Sequence, residues 1–293
     1  MELFTGSGVA LVTPFTEDLQ VDYSKFEALI GFHLKHQTDA LIVCGTTGEA
    51  PTISDDEKLK LFELAVKTVQ GRVPIIAGTG SNDTRHVIEM SKKAQALGVD
   101  ALLVVTPYYN KSSQAGLVAH FTAIADAVDI PIILYNVPSR TGINIEPSTV
   151  QVLAGHPNIA ALKEASGNIS QIVEMARIIP EGFRLYSGND DHVVPLLSVG
   201  GHGVITVIGN VVPQMVHDMV AAYLQGDVKK AMALQLKLKP LNDALFTEVN
   251  PIPVKTAMNL MGFEVGPMRL PLVPMDPNKE ERMVEVLKRF DLL

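Results

Sequence analysis

The chain has 293 residues, 47% of them hydrophobic and 19% charged, with no tryptophan and a formal net charge of −8. That length suits a single α/β barrel as well as two small domains, and an acidic balance without a Lys/Arg cluster argues against nucleic acid or anionic membrane as partner. No apolar run approaches the roughly 20 residues that span a bilayer, the first residues lack a signal peptide's basic and apolar regions, and the one cysteine, Cys44, cannot form an internal disulfide, so a reducing cytoplasm is the expected location.

Short apolar runs recur along the chain at residues 9–13, 40–43, 73–77, 101–105, 131–135, 159–163, 183–187 and 203–207. The intervals hold amphipathic stretches of about 10 to 18 residues, the connection length that parallel crossovers need. Asp22 can cap a helix striped by Phe26, Leu29 and Ile30, and Ser54-Asp-Asp-Glu57 reads as a capping box opening a helix that Gly71 closes. Leu117, Phe121, Ile124 and Val128 stripe the helix before the fifth run, and Pro147 suits a first helical turn. After Gly226 the pattern is helical alone, over residues 227–247, 253–261 and 278–290. The expected architecture is a (β/α)8 TIM barrel over residues 1–223 with a helical appendage over 224–293. A doubly wound sheet is the rival, but Gly78-Thr-Gly80 lacks the third glycine of a dinucleotide fingerprint.

In a parallel barrel, residues at the ends of strands share one face. Runs five and six end in Tyr135 and Lys163, so both are expected at the C-terminal rim. A lysine closing an apolar strand is disfavoured as an ammonium, and a neutral amine is what Schiff-base formation on a carbonyl requires. A snorkelling rim lysine is the plainer alternative. Gly45-Thr46-Thr47-Gly48-Glu49 offers hydroxyls and free amides to a small carboxylate, although a turn with helix-cap threonines accounts for it equally well. Thr106-Pro-Tyr-Tyr109-Asn110 reads alone as an ordinary surface loop, and Arg140 is a candidate fork for an anionic substrate. Asp190 and Asp191 have no partner at ligand spacing, so no metal is expected; no phosphate loop or cofactor motif occurs, and Cys44 inside its apolar run reads as a small buried hydrophobe. Together these ends describe amine catalysis on a keto acid, through imine, enamine and attack on an aldehyde.

Gly45-Thr-Thr-Gly-Glu49, Thr106-Pro-Tyr-Tyr-Asn110, Tyr135-Asn-Val-Pro-Ser-Arg-Thr-Gly142, Leu162-Lys-Glu164 and Ser187-Gly188, in this order, resemble the dihydrodipicolinate synthase (4-hydroxy-tetrahydrodipicolinate synthase) family of class I aldolases. The similarity runs from Gly6 to Leu270. It implies condensation of pyruvate with aspartate-4-semialdehyde, on the route to lysine and diaminopimelate. By the same resemblance Lys163 forms the Schiff base, Thr46 and Thr47 hold the pyruvate carboxylate, and Thr47, Tyr135 and Tyr109 form a proton relay. Tyr109 is expected to reach a neighbouring subunit's site in a dimer that is half of a tetramer. Arg140 would bind the semialdehyde carboxylate, with Gly188 and Ile205 lining the pocket. N-acetylneuraminate lyase and 2-keto-3-deoxy sugar-acid aldolases share the lysine and tyrosine, but Pro-Ser-Arg140-Thr-Gly favours the synthase. A dead barrel with a binding role would have lost Lys163 or Tyr135. Lysine-inhibited members of the family present a carboxylate and histidines where this chain has Lys58 and His86, so weak or absent inhibition by lysine is expected.

Overall fold

Eight parallel strands pair in chain order and close on themselves: β1 (Gly6–Ala10), β2 (Ala40–Val43), β3 (Ile75–Gly78), β4 (Ala101–Val105), β5 (Ile132–Asn136), β6 (Ile159–Glu164), β7 (Arg184–Ser187) and β8 (Gly203–Thr206), which returns to β1. This computed structural model describes residues 3–293; Met1 and Glu2, with which the expected barrel unit and the leader reading begin, lie outside the described residues. Around the strands run α1 (Tyr23–Lys35), α2 (Asp55–Val69), α3 (Thr84–Ala96), α4 (Gln114–Ala125), the short α5 (Pro138–Thr141), α6 (Pro147–Leu153), α7 (Ile169–Ile178), the short α8 (Val193–Leu197) and α9 (Pro213–Leu224). The chain then adds α10 (Val228–Leu245), α11 (Ile252–Leu260) and α12 (Pro277–Arg289). The barrel with C-terminal helices is the architecture the apolar runs and helical tail predict.

Strand alternation divides the core into two layers. Outward residues such as Leu134 and Leu162 pack against the helices, while Ile133, Tyr135, Ala161, Ala165, Tyr186 and Ile205 face one another in the lumen. Phe4 plugs the lumen, stacked on Tyr186 with ring centroids 4.5 Å apart, and the Tyr186 hydroxyl donates to the Phe4 carbonyl at 2.6 Å. The helices α10, α11 and α12 share an apolar cluster with α8, β8 and α9, through Leu241, Val254, Met258 and Leu287 among others.

The local signals act as expected at α1 and α2. Asp22 accepts from the Lys25 amide at 2.9 Å, and Ser54 and Glu57 form the reciprocal box. The end of α2 differs: Gln70, at φ 52°, takes the left-handed cap one residue before Gly71. The first strand also differs, lying at Gly6–Ala10 instead of 9–13. Its leading half carries Gly8, where a Cβ would come within 2.7 Å of the Phe4 ring, so the strand begins in residues that give no apolar signal. The apolar Leu11 and Val12 that follow lie past the strand's end and pack outside the barrel, the Leu11 amide still donating to the Ile42 carbonyl at 3.0 Å and the Val12 amide turning to the Asn210 Oδ1 at 3.2 Å. The third strand is likewise displaced, to Ile75–Gly78.

Candidate active site

Lys163 belongs to the lumenal alternation between Ala161 and Ala165, and it is register partner of Tyr135 on β5 and Tyr186 on β7. Both Lys163 and Tyr135 are buried, and the Lys163 Nζ lies 4.3 Å from the centre of the Tyr135 ring. Small neighbours make room for the long side chain. At Gly188, after β7, a Cβ would stand 2.7 Å from the Ala165 Cβ and 3.0 Å from the Lys163 Cε. Ile205 on β8 is fully buried in the same lumenal cluster. The structure thus brings Lys163, Tyr135, Gly188 and Ile205 to one end of the lumen.

Thr46 and Thr47 sit in the turn after β2, closed by the Gly48 amide on the Gly45 carbonyl at 3.1 Å and the Glu49 amide on the Thr46 carbonyl at 3.1 Å. Thr13 donates its hydroxyl to the Gly48 carbonyl at 2.7 Å. Thr47 is buried, and its Oγ1 accepts from the Asn250 Nδ2 at 3.0 Å. Asn250, just before α11, did not figure in the sequence expectations, because it belongs to a stretch that reads only as a proline-rich break. Glu49 is equally buried and pairs with Lys255 on α11 at 2.8 Å. Cys44, ahead of the turn, is buried with its thiol pushed up to about 12 by desolvation, as a small hydrophobe would be.

Arg140 lies on α5, exposed, with one Nη2 bond to the Asn250 carbonyl at 3.0 Å. Its loop is held from beneath. Asn136 donates to the Glu164 Oε2 at 2.9 Å, while its own Oδ1 accepts the Ile145 amide at 2.9 Å. Burial pushes the Glu164 carboxyl up, opposed by hydrogen bonds from Ser166 and Asn136. Gly142 closes α5 at φ 70°, where a Cβ would meet the Lys111 Cε at 2.7 Å.

Tyr109 does not join these residues. It is 94% exposed, at φ 70° in the loop after β4, and Tyr108 rather than Tyr109 lines the cavity beside Tyr135. A bulky residue held in the left-handed region and turned to solvent is strained for no benefit within its own chain.

A cavity of about 470 Å³ opens over Thr46, Tyr135 and Arg140 and continues to Asp55, Lys58 and His86. A groove of about 630 Å³ at the opposite end of the barrel, lined by Asp39, Arg72 and His217, is far from this chemistry. Asp190 is occupied structurally, its Oδ2 accepting the amides of Val207 at 2.9 Å and Ile208 at 3.2 Å. Among the described residues no group of three or more His, Cys, Asp or Glu is placed to hold a metal ion, and no described helix is long and apolar enough to cross a membrane.

Known proteins match this arrangement over the whole chain. The 4-hydroxy-tetrahydrodipicolinate synthase of Thermoanaerobacter sp. (strain X514) is 57% identical over 294 residues, covering 100% of this chain and 99% of the relative. The dihydrodipicolinate synthase structure from Thermotoga maritima superposes with a TM-score of 0.98 at 42% identity, covering 100% of both chains. The chloride-inhibited dihydrodipicolinate synthase of Acinetobacter baumannii complexed with pyruvate superposes with a TM-score of 0.97 at 40% identity, over 99% of both chains. Residues 3–290 match the Dihydrodipicolinate synthetase family, and the chain belongs to that family.

Proposed function

We propose that Lys163 forms a Schiff base with pyruvate and that the chain condenses this pyruvate with aspartate-4-semialdehyde to 4-hydroxy-tetrahydrodipicolinate, in lysine and diaminopimelate biosynthesis. The observation that carries the proposal is the buried Lys163 amine, 4.3 Å from the ring of Tyr135 in an apolar lumen. There the Lys163 nitrogen adds to the pyruvate carbonyl carbon, and the carbinolamine loses water to give the imine. Loss of a methyl proton gives the enamine, whose carbon attacks the aldehyde carbon of the acceptor while the aldehyde oxygen takes up a proton. The acceptor's amino group then displaces Lys163 from the imine carbon, closing the ring and freeing the lysine.

Thr46 and Thr47 hold the pyruvate carboxylate, and Gly188 and Ile205 line the pocket that receives pyruvate. Tyr135 moves protons to and from the reacting oxygens, relayed by Thr47 and the partner subunit's Tyr109. Arg140, at the cavity mouth, binds the acceptor carboxylate with its planar fork. The full exposure of Tyr109 supports a homo-oligomer, a tetramer built from dimers, in which each copy completes its neighbour's relay. The proposed division of labour is catalysis in residues 1–223 and support from the helices of 224–293, in a protein of the cytoplasm.

Borohydride reduction in the presence of pyruvate, followed by peptide mass mapping, tests the mechanism. A single adduct on Lys163 is expected, and an adduct on another lysine, or none, overturns it. Turnover of N-acetylmannosamine but not aspartate-4-semialdehyde would move the acceptor assignment to the lyase.

A further inference from the structure

The turn that carries Thr46 and Thr47 is anchored from below by two charges that chemistry at Lys163 does not use. Lys255, on α11, is completely buried, and Glu49, two residues after Thr47, is 2% exposed. The three donors of the Lys255 ammonium are all engaged, with the Glu49 Oε1 at 2.8 Å, the Pro267 carbonyl at 2.6 Å and the Thr13 carbonyl at 3.1 Å. Its Nζ also lies 4.3 Å from the centre of the Phe15 ring. The second Glu49 oxygen accepts the Arg269 amide at 3.1 Å. Glu49 is held at φ 57°, a left-handed backbone that a non-glycine residue keeps only when its surroundings enforce it.

We propose that Lys255, acting through Glu49, is a positioning residue for the pyruvate-carboxylate cradle; the proposal rests on the Schiff-base reading of Lys163 and deepens it. A buried ion pair gives little net stability, since two apolar side chains of the same volume fill such a place as well. What a pair saturated with hydrogen bonds provides is a single geometry. The Thr13 residue shows why that geometry matters at the cradle: its carbonyl accepts from Lys255 while its hydroxyl donates to the Gly48 carbonyl at 2.7 Å. One ammonium therefore fixes the turn twice, at the Glu49 carboxylate and through Thr13 at Gly48. Thr46 and Thr47 lie immediately before these anchors. Because the Lys255 charge is neutralised by Glu49, the lysine is not a ligand of the substrate anion; it sets where the cradle's hydroxyls and amides point.

The double variant Lys255→Met/Glu49→Leu removes both charges at nearly constant volume, leaving no unpaired charge in the core. KM for pyruvate is expected to rise roughly tenfold or more, with kcat at saturating pyruvate within about threefold of the parent and KM for the semialdehyde unchanged. Borohydride should still place pyruvate on Lys163 in this variant. Glu49→Gln keeps the shape and one acceptor for Lys255 but strips the buried ammonium of its counter-charge, so in this second measurement pyruvate KM is expected to rise at least as far as in the double variant. An unchanged pyruvate KM in either folded variant, or equal losses for both substrates, overturns the positioning role. Failure of the parent enzyme to trap pyruvate on Lys163 would instead bring down the Schiff-base reading itself.

Discussion

The side-chain amide of Asn250 donates to the hydroxyl of Thr47 at 3.0 Å. A threonine hydroxyl has one proton, so an oxygen that already accepts from Asn250 keeps that proton free to donate to another acceptor, in the proposed function the pyruvate carboxylate. The same residue offers its backbone carbonyl to Arg140 at 3.0 Å, so the two proposed substrate contacts meet at one position before α11. Asn250→Ala keeps the carbonyl and removes only the amide. Its kcat/KM for pyruvate should fall about tenfold, the scale of one buried hydrogen bond lost at a site, while KM for the semialdehyde holds. Steady-state kinetics in both substrates check this, and a loss confined to the semialdehyde would contradict the assigned direction of the Thr47 proton.

Tyr109 makes a sharper test of shared active sites. If each copy supplies Tyr109 to its neighbour, Tyr109→Phe and Lys163→Ala are complementary defects. Each variant alone should be nearly inactive. A hybrid dimer contains one site with an intact Lys163 and an intact partner tyrosine, so random mixing should restore about a quarter of the parent activity. Mixed, dissociated and reassembled samples are assayed against the unmixed variants. Activity no greater than the sum of the two components would show that Tyr109 serves its own chain or none.

Glu57 is shared between the cap of α2 and the C-terminal segment. Its carboxylate accepts the Ser54 amide at 2.8 Å and takes two Arg269 bonds, at 2.6 Å and 2.9 Å. Chiefly through Arg269, its pKa falls from the ordinary 4.5 to about 2. A carboxylate depressed in the folded state stabilises fully above its ordinary value, and that stabilisation is lost as pH falls from about 4.5 toward about 2. Allowing for solvent screening, the contribution is on the order of 1–2 kcal/mol. Glu57→Gln still caps the helix but loses the charge on Arg269. At neutral pH its Tm should lie a few degrees below the parent, and the gap should close as pH falls through that window. A gap independent of pH would assign the loss to packing.

The barrel was legible because short continuous apolar runs and capped amphipathic helices are local signals. Lys163 and Tyr135 were legible for the same reason, as polar ends of apolar strands. The first strand was misplaced because its glycines, Gly6 packed against Asp39 and Gly8 against Phe4, carry no hydrophobic signal, whereas Leu11 and Val12 do. The partners of the cradle escaped because their meaning is entirely non-local. Asn250 is 203 residues from Thr47, and Lys255 is 206 from Glu49. One signal for Lys255 was present, a charged residue directly after Pro251-Ile-Pro-Val254 on a helix whose other polar residues, Thr256 and Asn259, are uncharged, yet only the closed barrel supplies its acid.

The outer part of the cavity bears on inhibition by lysine. Its wall includes Lys58 and His86, the two positions named for lysine sensitivity, and also Asp55, a carboxylate that the expectation did not count. Asp55 is not idle, since the His86 Nε2 lies 3.6 Å from its Oδ1. A lysine effector brings two ammonium groups, and here they would meet the Lys58 ammonium and a carboxylate that already faces a histidine. Like charge and competition for the one acid both oppose binding. Steady-state assays should therefore show little inhibition by millimolar lysine, and half-inhibition at micromolar lysine would contradict this. Replacing the histidine reverses the electrostatics: His86→Glu supplies a second carboxylate and releases Asp55, so this variant should acquire measurable lysine inhibition while its uninhibited rate stays near that of the parent. A variant as indifferent to lysine as the parent would mean that charge at this wall does not decide the response.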